Sequence, residues 1–143
     1  MTNNIFAPFE RDLKDFIDIL ESMGIYSMNS LEKIRSRSYT EEEIFDTFEH
    51  IHRQTTKLTF ILISMLKIAS QYRPTNIALQ NFLNYLGSYI SYITSLSVDA
   101  LRKYRKNPVY GIRSIHKALE DIIYYTKAIK EELNDAIEKG LFM

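Results

Sequence analysis

The amino-acid sequence predicts an all-α fold, an antiparallel helical bundle of three long helices and one shorter N-terminal helix. Three observations support this prediction. Apolar residues recur every three or four positions through three successive windows, 44–69, 79–100 and 112–136. Four glycines and three prolines are few for 143 residues, and helix start and stop signals separate the windows. Because a spacing near 3.5 places each apolar set on one side of an α-helix, the three sets are expected to share one core.

The shorter helix is predicted over about 8–23. Pro8 suits a first helical turn, where its missing N–H has no partner to lose. Glu10 and Asp12 follow it, near the positive end of the helix dipole. Gly24 is a typical residue at which a helix stops. This helix is expected to cover half of the groove between the three longer ones.

The three long helices are predicted over about 41–72, 76–106 and 109–139. Thr40 and Glu43 have the spacing of a capping box, in which the threonine hydroxyl accepts a hydrogen bond from the glutamate N–H. The first of the three is therefore expected to begin directly after Thr40. Its second half is apolar on nearly all sides, which predicts burial on all sides, either by the short helix or by another subunit.

Two breaks divide these long helices, and a stop signal follows the last one. Pro74 ends the first, since a proline disfavours the helical conformation in the residue before it. Asn107-Pro108 separates the next two, and Gly140 is the expected final stop. Such short connections make sequential helices antiparallel neighbours. The whole chain, 1–143, is expected to form a single domain.

Composition excludes several classes of function. Basic and acidic residues both number 18, so no net charge attracts nucleic acid or a membrane surface. The chain has no cysteine, which excludes disulfides and thiolate-ligated metals. The longest apolar run, 58–66, is about half of the ~20 residues that span a bilayer, and no signal peptide is visible. We therefore expect a soluble, cytoplasmic protein that does not interact with membranes.

The motifs that would indicate catalysis are incomplete. Glu49 and His52 have the Glu-x-x-His spacing of di-metal sites in helical bundles, but the required second pair is missing. Arg113 and Lys117 lie on either side of His116, where they disfavour a bound cation. The sequence contains neither a glycine-rich phosphate loop nor a nucleophile motif. We expect a non-enzymatic protein without metal or cofactor, with a helical-bundle metalloenzyme as a remote alternative.

One side of the second long helix is the preferred interaction surface. Small residues at i, i+4 and i+8 let two helices approach closely, and here they are Gly87, Ser91 and Ser95. A stripe of tyrosines lies beside them, formed by Tyr85, Tyr89 and Tyr92. Such a stripe is typical of a half-buried helix face, and tyrosine is also enriched at protein interfaces. The sequence therefore predicts binding to itself or to another protein through helical surfaces.

A basic hairpin tip with interleaved tyrosines is the second candidate site. Its predicted contact residues are Arg102, Lys103, Tyr104, Arg105, Lys106, Tyr110, Arg113 and Lys117. Cations and aromatic rings together suit phosphate contact and base stacking. The alternative function is therefore a nucleic-acid-associated small subunit or a mobile-element or viral regulator. The same cations also complement a helix C-terminus, and the carboxylates at 41–43 are expected at the same end, where they would neutralise the tip.

Overall fold

The computed structural model describes residues 9–71 and 77–139, and every regular element in these ranges is helical. The four helices are α1 (Glu10–Arg35), α2 (Glu41–Ala69), α3 (Ile77–Lys106) and α4 (Pro108–Lys139). The predicted all-α class is confirmed. Among the described residues, no helix is long and apolar enough to cross a membrane.

Each helix packs against two others, in the cyclic order α1, α2, α3, α4 and back to α1. Within the described residues, α1 does not contact α3 and α2 does not contact α4. One cluster of buried apolar side chains draws on all four helices and includes Phe16, Ile51, Leu86 and Ile122. The three predicted windows supply most of this cluster, because a repeat of three or four residues keeps a helix's apolar side toward its neighbours.

Helix α1 is longer than predicted. The expected end at Met23 is wrong, since the helix continues through Gly24 to Arg35. The buried side of its second half begins with Ser27 and Ser30, which produce no apolar pattern in the sequence. A Cβ atom at Gly24 would meet its nearest neighbour at 3.9 Å, so this glycine lies in an ordinary helix interior. All four helices are therefore long, rather than three long and one short.

Two residues after the end of α1, Arg37 adopts the left-handed conformation, with φ of 57°. The N–H of Arg37 donates to the carbonyl of Ile34 at 3.1 Å, and the N–H of Ser38 donates to that of Lys33 at 2.9 Å. This pair of bonds is a Schellman motif, whose left-handed position is usually glycine because a Cβ atom destabilises it. Two backbone hydrogen bonds thus hold an arginine in an unfavourable conformation.

The predicted capping box begins α2. Thr40 Oγ1 accepts a hydrogen bond from the N–H of Glu43 at 3.2 Å and donates one to the Glu43 carboxylate at 3.1 Å. Lys33 of α1 pairs with the same carboxylate. The hydrogen bonds from Lys33 and Thr40 lower the pKa of Glu43. The cap therefore joins the end of α1 to the start of α2.

The remaining boundaries agree closely with the predictions where the structure describes them. Helix α2 ends at Ala69, slightly before the expected position. Helices α3 and α4 begin and end within one residue of their predicted bounds, and Asn107 alone connects them. The predicted stops at Pro74 and Gly140 lie outside the described residues.

Candidate functional site

The predicted tyrosine stripe on α3 has a buried part and an exposed part. Tyr89 lies in the core, with its hydroxyl 2.7 Å from Oγ1 of Thr126 in α4, and burial raises its pKa. Tyr85 and Tyr92, each about one turn away from Tyr89, are 44% and 43% exposed. Tyr89 is therefore removed from the predicted self-association set, while Tyr85 and Tyr92 remain on the surface.

Two further tyrosines extend this surface onto α4. The ring of Tyr92 packs edge-on against Tyr125 at 5.0 Å, and Tyr125 packs against Tyr124 at 5.2 Å. Tyr124 is the more exposed of the two. The prediction omitted this pair because neither residue belongs to an apolar stripe. The sequence signal for this pair is that the two tyrosines directly precede Thr126, a position of the α4 stripe that is buried.

The small-residue ridge also divides into two parts. A Cβ atom on Gly87 would lie 3.4 Å from Cδ2 of Leu62, so Gly87 contacts α2 within the same chain. Ser91 and Ser95 are exposed and line an open groove between α2 and α3. Close packing inside the chain explains Gly87, whereas the two serines remain available to a partner.

The exposed side of α3 carries no charge over most of its length. Residues 74–98 contain no acidic, basic or histidine side chain, although a quarter of the chain is charged. Of these residues, 77–98 lie in α3 and span about 33 Å at 1.5 Å per residue. Apolar periodicity does not reveal this gap, because serine, asparagine and tyrosine fill the outer positions. We term six of its exposed residues the α3 face, namely Tyr85, Ser88, Ser91, Tyr92, Ser95 and Val98.

Apolar residues of α2 border the α3 face on one side. Thr59 lines the groove with Ser91 and Ser95. Ile63 and Leu66 follow Thr59 at i+4 and i+7, on the same stripe of α2, and are 42% and 45% exposed. The α3 face thus has aliphatic side chains from α2 on one side and tyrosines from α4 on the other.

Ion pairs neutralise part of the predicted basic tip. Asp99, one turn before it, lies 2.6 Å from Arg102 and 3.0 Å from Lys103. Lys117 pairs with Asp121 at 3.2 Å. These contacts involve carboxylates just outside the segment 102–117, which is why the segment itself looks uniformly basic. Three of the six predicted cations therefore have acidic partners.

The expected role of Tyr104 in base stacking is wrong. Its side chain is only 4% exposed and packs edge-on against Phe45 at 6.0 Å. The guanidinium of Arg105 lies 5.3 Å from the centre of the same Phe45 ring. Helix α4 covers Tyr104 closely, because a Cβ atom on Gly111 would lie only 2.4 Å from Tyr104 Cα. Tyr110, in contrast, is 68% exposed.

The predicted histidine and carboxylate residues do not converge on one point. Glu49 pairs with Arg53 at 3.3 Å rather than with His52, which is exposed. Nδ1 of His116 lies 2.8 Å from a carboxylate oxygen of Glu120. Within the described residues, no three or more histidine or acidic side chains form a group that could hold a metal ion.

Comparison with protein-family models, with curated proteins and with solved structures gives no match. Two surfaces of the molecule differ from the rest in charge and exposure. The two that stand out are the α3 face and the end of the fold at which α1 meets α4.

Proposed function

We propose that the protein is a non-enzymatic helical-bundle module that associates with a second copy of itself through the α3 face. The observation that carries the proposal is the absence of charge along the exposed side of α3 from 77 to 98. A helix side that faces solvent ordinarily carries charged residues. Interface cores are depleted in charge and enriched in tyrosine, as the α3 face is.

A second copy of the chain is the partner that an uncharged face fits best. In a two-fold interface, a residue near the axis meets the same residue of the partner. Any charge there would therefore oppose an identical charge. The α3 face avoids this repulsion at each of its own positions, although Glu132 of α4 interacts with the Tyr85 hydroxyl. Its exposed serines can donate hydrogen bonds as well as accept them.

The size of the face matches what a stable dimer needs. A helix segment about 33 Å long, together with its two flanks, covers a strip about 20 Å wide. That area is roughly 650 Å² per copy, or about 1,300 Å² in total, within the range of specific interfaces. Tyr85 and Tyr92 supply large, rigid side chains that lose little conformational entropy on binding.

Two ion pairs between α1 and α4 support an antiparallel order of these helices. Glu21 pairs with Lys130 at 3.6 Å. Arg35, which lies later in α1, pairs at 3.7 Å with Glu120, which lies earlier in α4. Opposite directions of α1 and α4 account for this order. Helix α1 is diagonal to α3 in the cyclic packing, so the outer side of α3 points away from the rest of the chain.

Light scattering on size-exclusion fractions tests the proposal. We expect the wild-type chain to show twice its mass of 16.9 kDa at tens of micromolar protein. Ser91→Lys should convert it to a monomer, because the two introduced charges would meet near the two-fold axis. Ser22→Lys is the matched control, since Ser22 is an exposed serine on α1.

Two results would contradict the proposal. A wild-type monomer at several hundred micromolar would show that the α3 face does not self-associate. Equal disruption by Ser91→Lys and Ser22→Lys would show that the copies meet elsewhere.

Nucleic-acid binding through the whole basic tip has weaker support. Arg102, Lys103 and Lys117 have acidic partners, and Tyr104 is buried. The surface that could contact a phosphate backbone is correspondingly smaller than the sequence suggests.

A further inference from the structure

A groove lies between the end of α1 and the start of α4, away from the α3 face. Its walls are formed by Ile34, Arg37, Tyr39, Ile112, Arg113 and His116. None of these six residues is acidic, and the groove has a volume of about 590 Å³. Pockets of this size hold nucleotide-sized ligands. The walls combine apolar surface with a few polar groups, as small-molecule sites usually do.

Two wall residues are arginines whose guanidinium groups have no partner among the described residues, Arg37 and Arg113. The neighbouring Arg35 differs, since it pairs with Glu120 at 3.7 Å. His116 Nδ1 lies 2.8 Å from an oxygen of the same carboxylate. Glu120 thus lies beside the groove and pairs with Arg35, whereas neither Arg37 nor Arg113 forms an ion pair with a described residue.

The backbone of Arg37 gives the groove its second distinctive property. The Schellman motif requires a left-handed residue here, and glycine would adopt that conformation without strain. Arginine at this position costs about 1 kcal/mol or more relative to glycine. Arg37 and Arg113 line the same groove, and the end of α1 does not itself require an arginine at position 37.

We propose that this groove binds a phosphate group, with Arg37 and Arg113 as its cationic ligands. Each guanidinium can donate two parallel hydrogen bonds to a phosphate. The two arginines come from different elements, the α1–α2 connection and α4, and both line the groove. The phosphate belongs either to a free nucleotide or to a nucleic-acid strand, whose next groups would reach exposed Tyr110. The site does not depend on self-association through α3.

Fluorescence anisotropy with labelled single-stranded RNA and DNA 12-mers tests the site. Titrations of the full chain at 25 mM and 200 mM NaCl should show binding that weakens steeply with salt, because each neutralised phosphate releases counterions. Competition with inorganic phosphate and with AMP distinguishes the two sources. Displacement by millimolar AMP indicates a nucleotide site, and displacement by unlabelled strand alone indicates a strand site. Both results support the phosphate chemistry.

Three substitutions identify the ligands. Arg37→Gly and Arg113→Gln should each weaken binding about tenfold or more, the size of one lost charge-assisted hydrogen bond. Arg11→Gln is the matched control, an exposed arginine near the opposite end of α1, and should bind as the wild type does. Arg37→Gly should also raise the melting temperature, because it removes the left-handed arginine. A variant that folds better and binds worse separates a binding role from a structural one.

Three outcomes would overturn the proposal. One is that neither the oligonucleotides, phosphate nor AMP binds the wild-type protein at several hundred micromolar and low salt. The second is wild-type affinity in both Arg37→Gly and Arg113→Gln. The third is equal weakening in all three variants, which would indicate a diffuse charge effect instead of a site.

Discussion

Replacing Gly111 with alanine should destabilise the fold, although alanine is the better helix former. A Cβ atom at this position would lie 2.4 Å from Tyr104 Cα and 2.7 Å from the Lys103 carbonyl oxygen. These are backbone atoms of α3, so relief requires the two helices to separate. Overpacking of this kind costs about 1–3 kcal/mol, and the upper end applies because no side chain can rotate away. The higher helix propensity of alanine offsets about 1 kcal/mol of this cost. The free energy of unfolding should therefore fall by about 2 kcal/mol.

Gly24→Ala is the matched control for this substitution. Its Cβ atom would have its nearest contact at 3.9 Å, so only the helix propensity changes and stability should rise by about 1 kcal/mol. Urea denaturation followed by circular dichroism at 222 nm measures both. The two variants should therefore differ by about 3 kcal/mol in the free energy of unfolding. Wild-type stability in Gly111→Ala would refute the close approach of α4 to the end of α3.

Three further predictions concern buried groups. Leu62→Ala should lower the free energy of unfolding by about 2–5 kcal/mol in urea denaturation, through lost burial and a cavity; a loss below 1 kcal/mol would place Leu62 outside the core. Tyr89→Phe should cost about 1–3 kcal/mol in the same assay because the Thr126 hydroxyl loses its buried partner, and Thr126→Val in the same chain should recover part of it. Burial, with help from nearby cations, lowers the pKa of His50 from its usual 6.5, so the unfolded chain binds the proton more tightly. Stability should consequently fall as the pH decreases below about 6.5, and thermal melts of His50→Gln should show a smaller fall over the same range.

The sequence was sufficient to predict the helical class and most of the core. In α2, each stripe position from Ile44 to Met65 is buried, because the apolar repeat directly encodes which side of a helix faces its neighbours. The cap at Thr40 was predictable for a similar reason, since it depends only on residues three positions apart. Local patterns therefore identified where helices begin and which side they bury.

Features that depend on contacts between helices were harder to predict. Gly24 was predicted to end α1, but the helix continues beyond it because its second half packs against α2 and α4. Ser27 and Ser30 are buried there although they are not apolar, so the apolar pattern does not reveal this packing. The burial of Tyr104 depends on Gly111, seven residues later. Arg37 and Arg113 line the same groove although they lie far apart in the sequence, and no spacing rule connects them.

The most direct test of self-association through the α3 face is a distance measured between two copies. Because the chain has no cysteine, Ser88→Cys introduces a single spin-label site near the middle of the α3 face. Packed helices lie about 8–10 Å apart, so double electron–electron resonance should give a label-to-label distance below about 30 Å. Labels on Ser22→Cys, across the bundle, should be separated by about 40 Å or more. A Ser88→Cys sample at 200 micromolar that shows no dipolar signal above background would contradict the account.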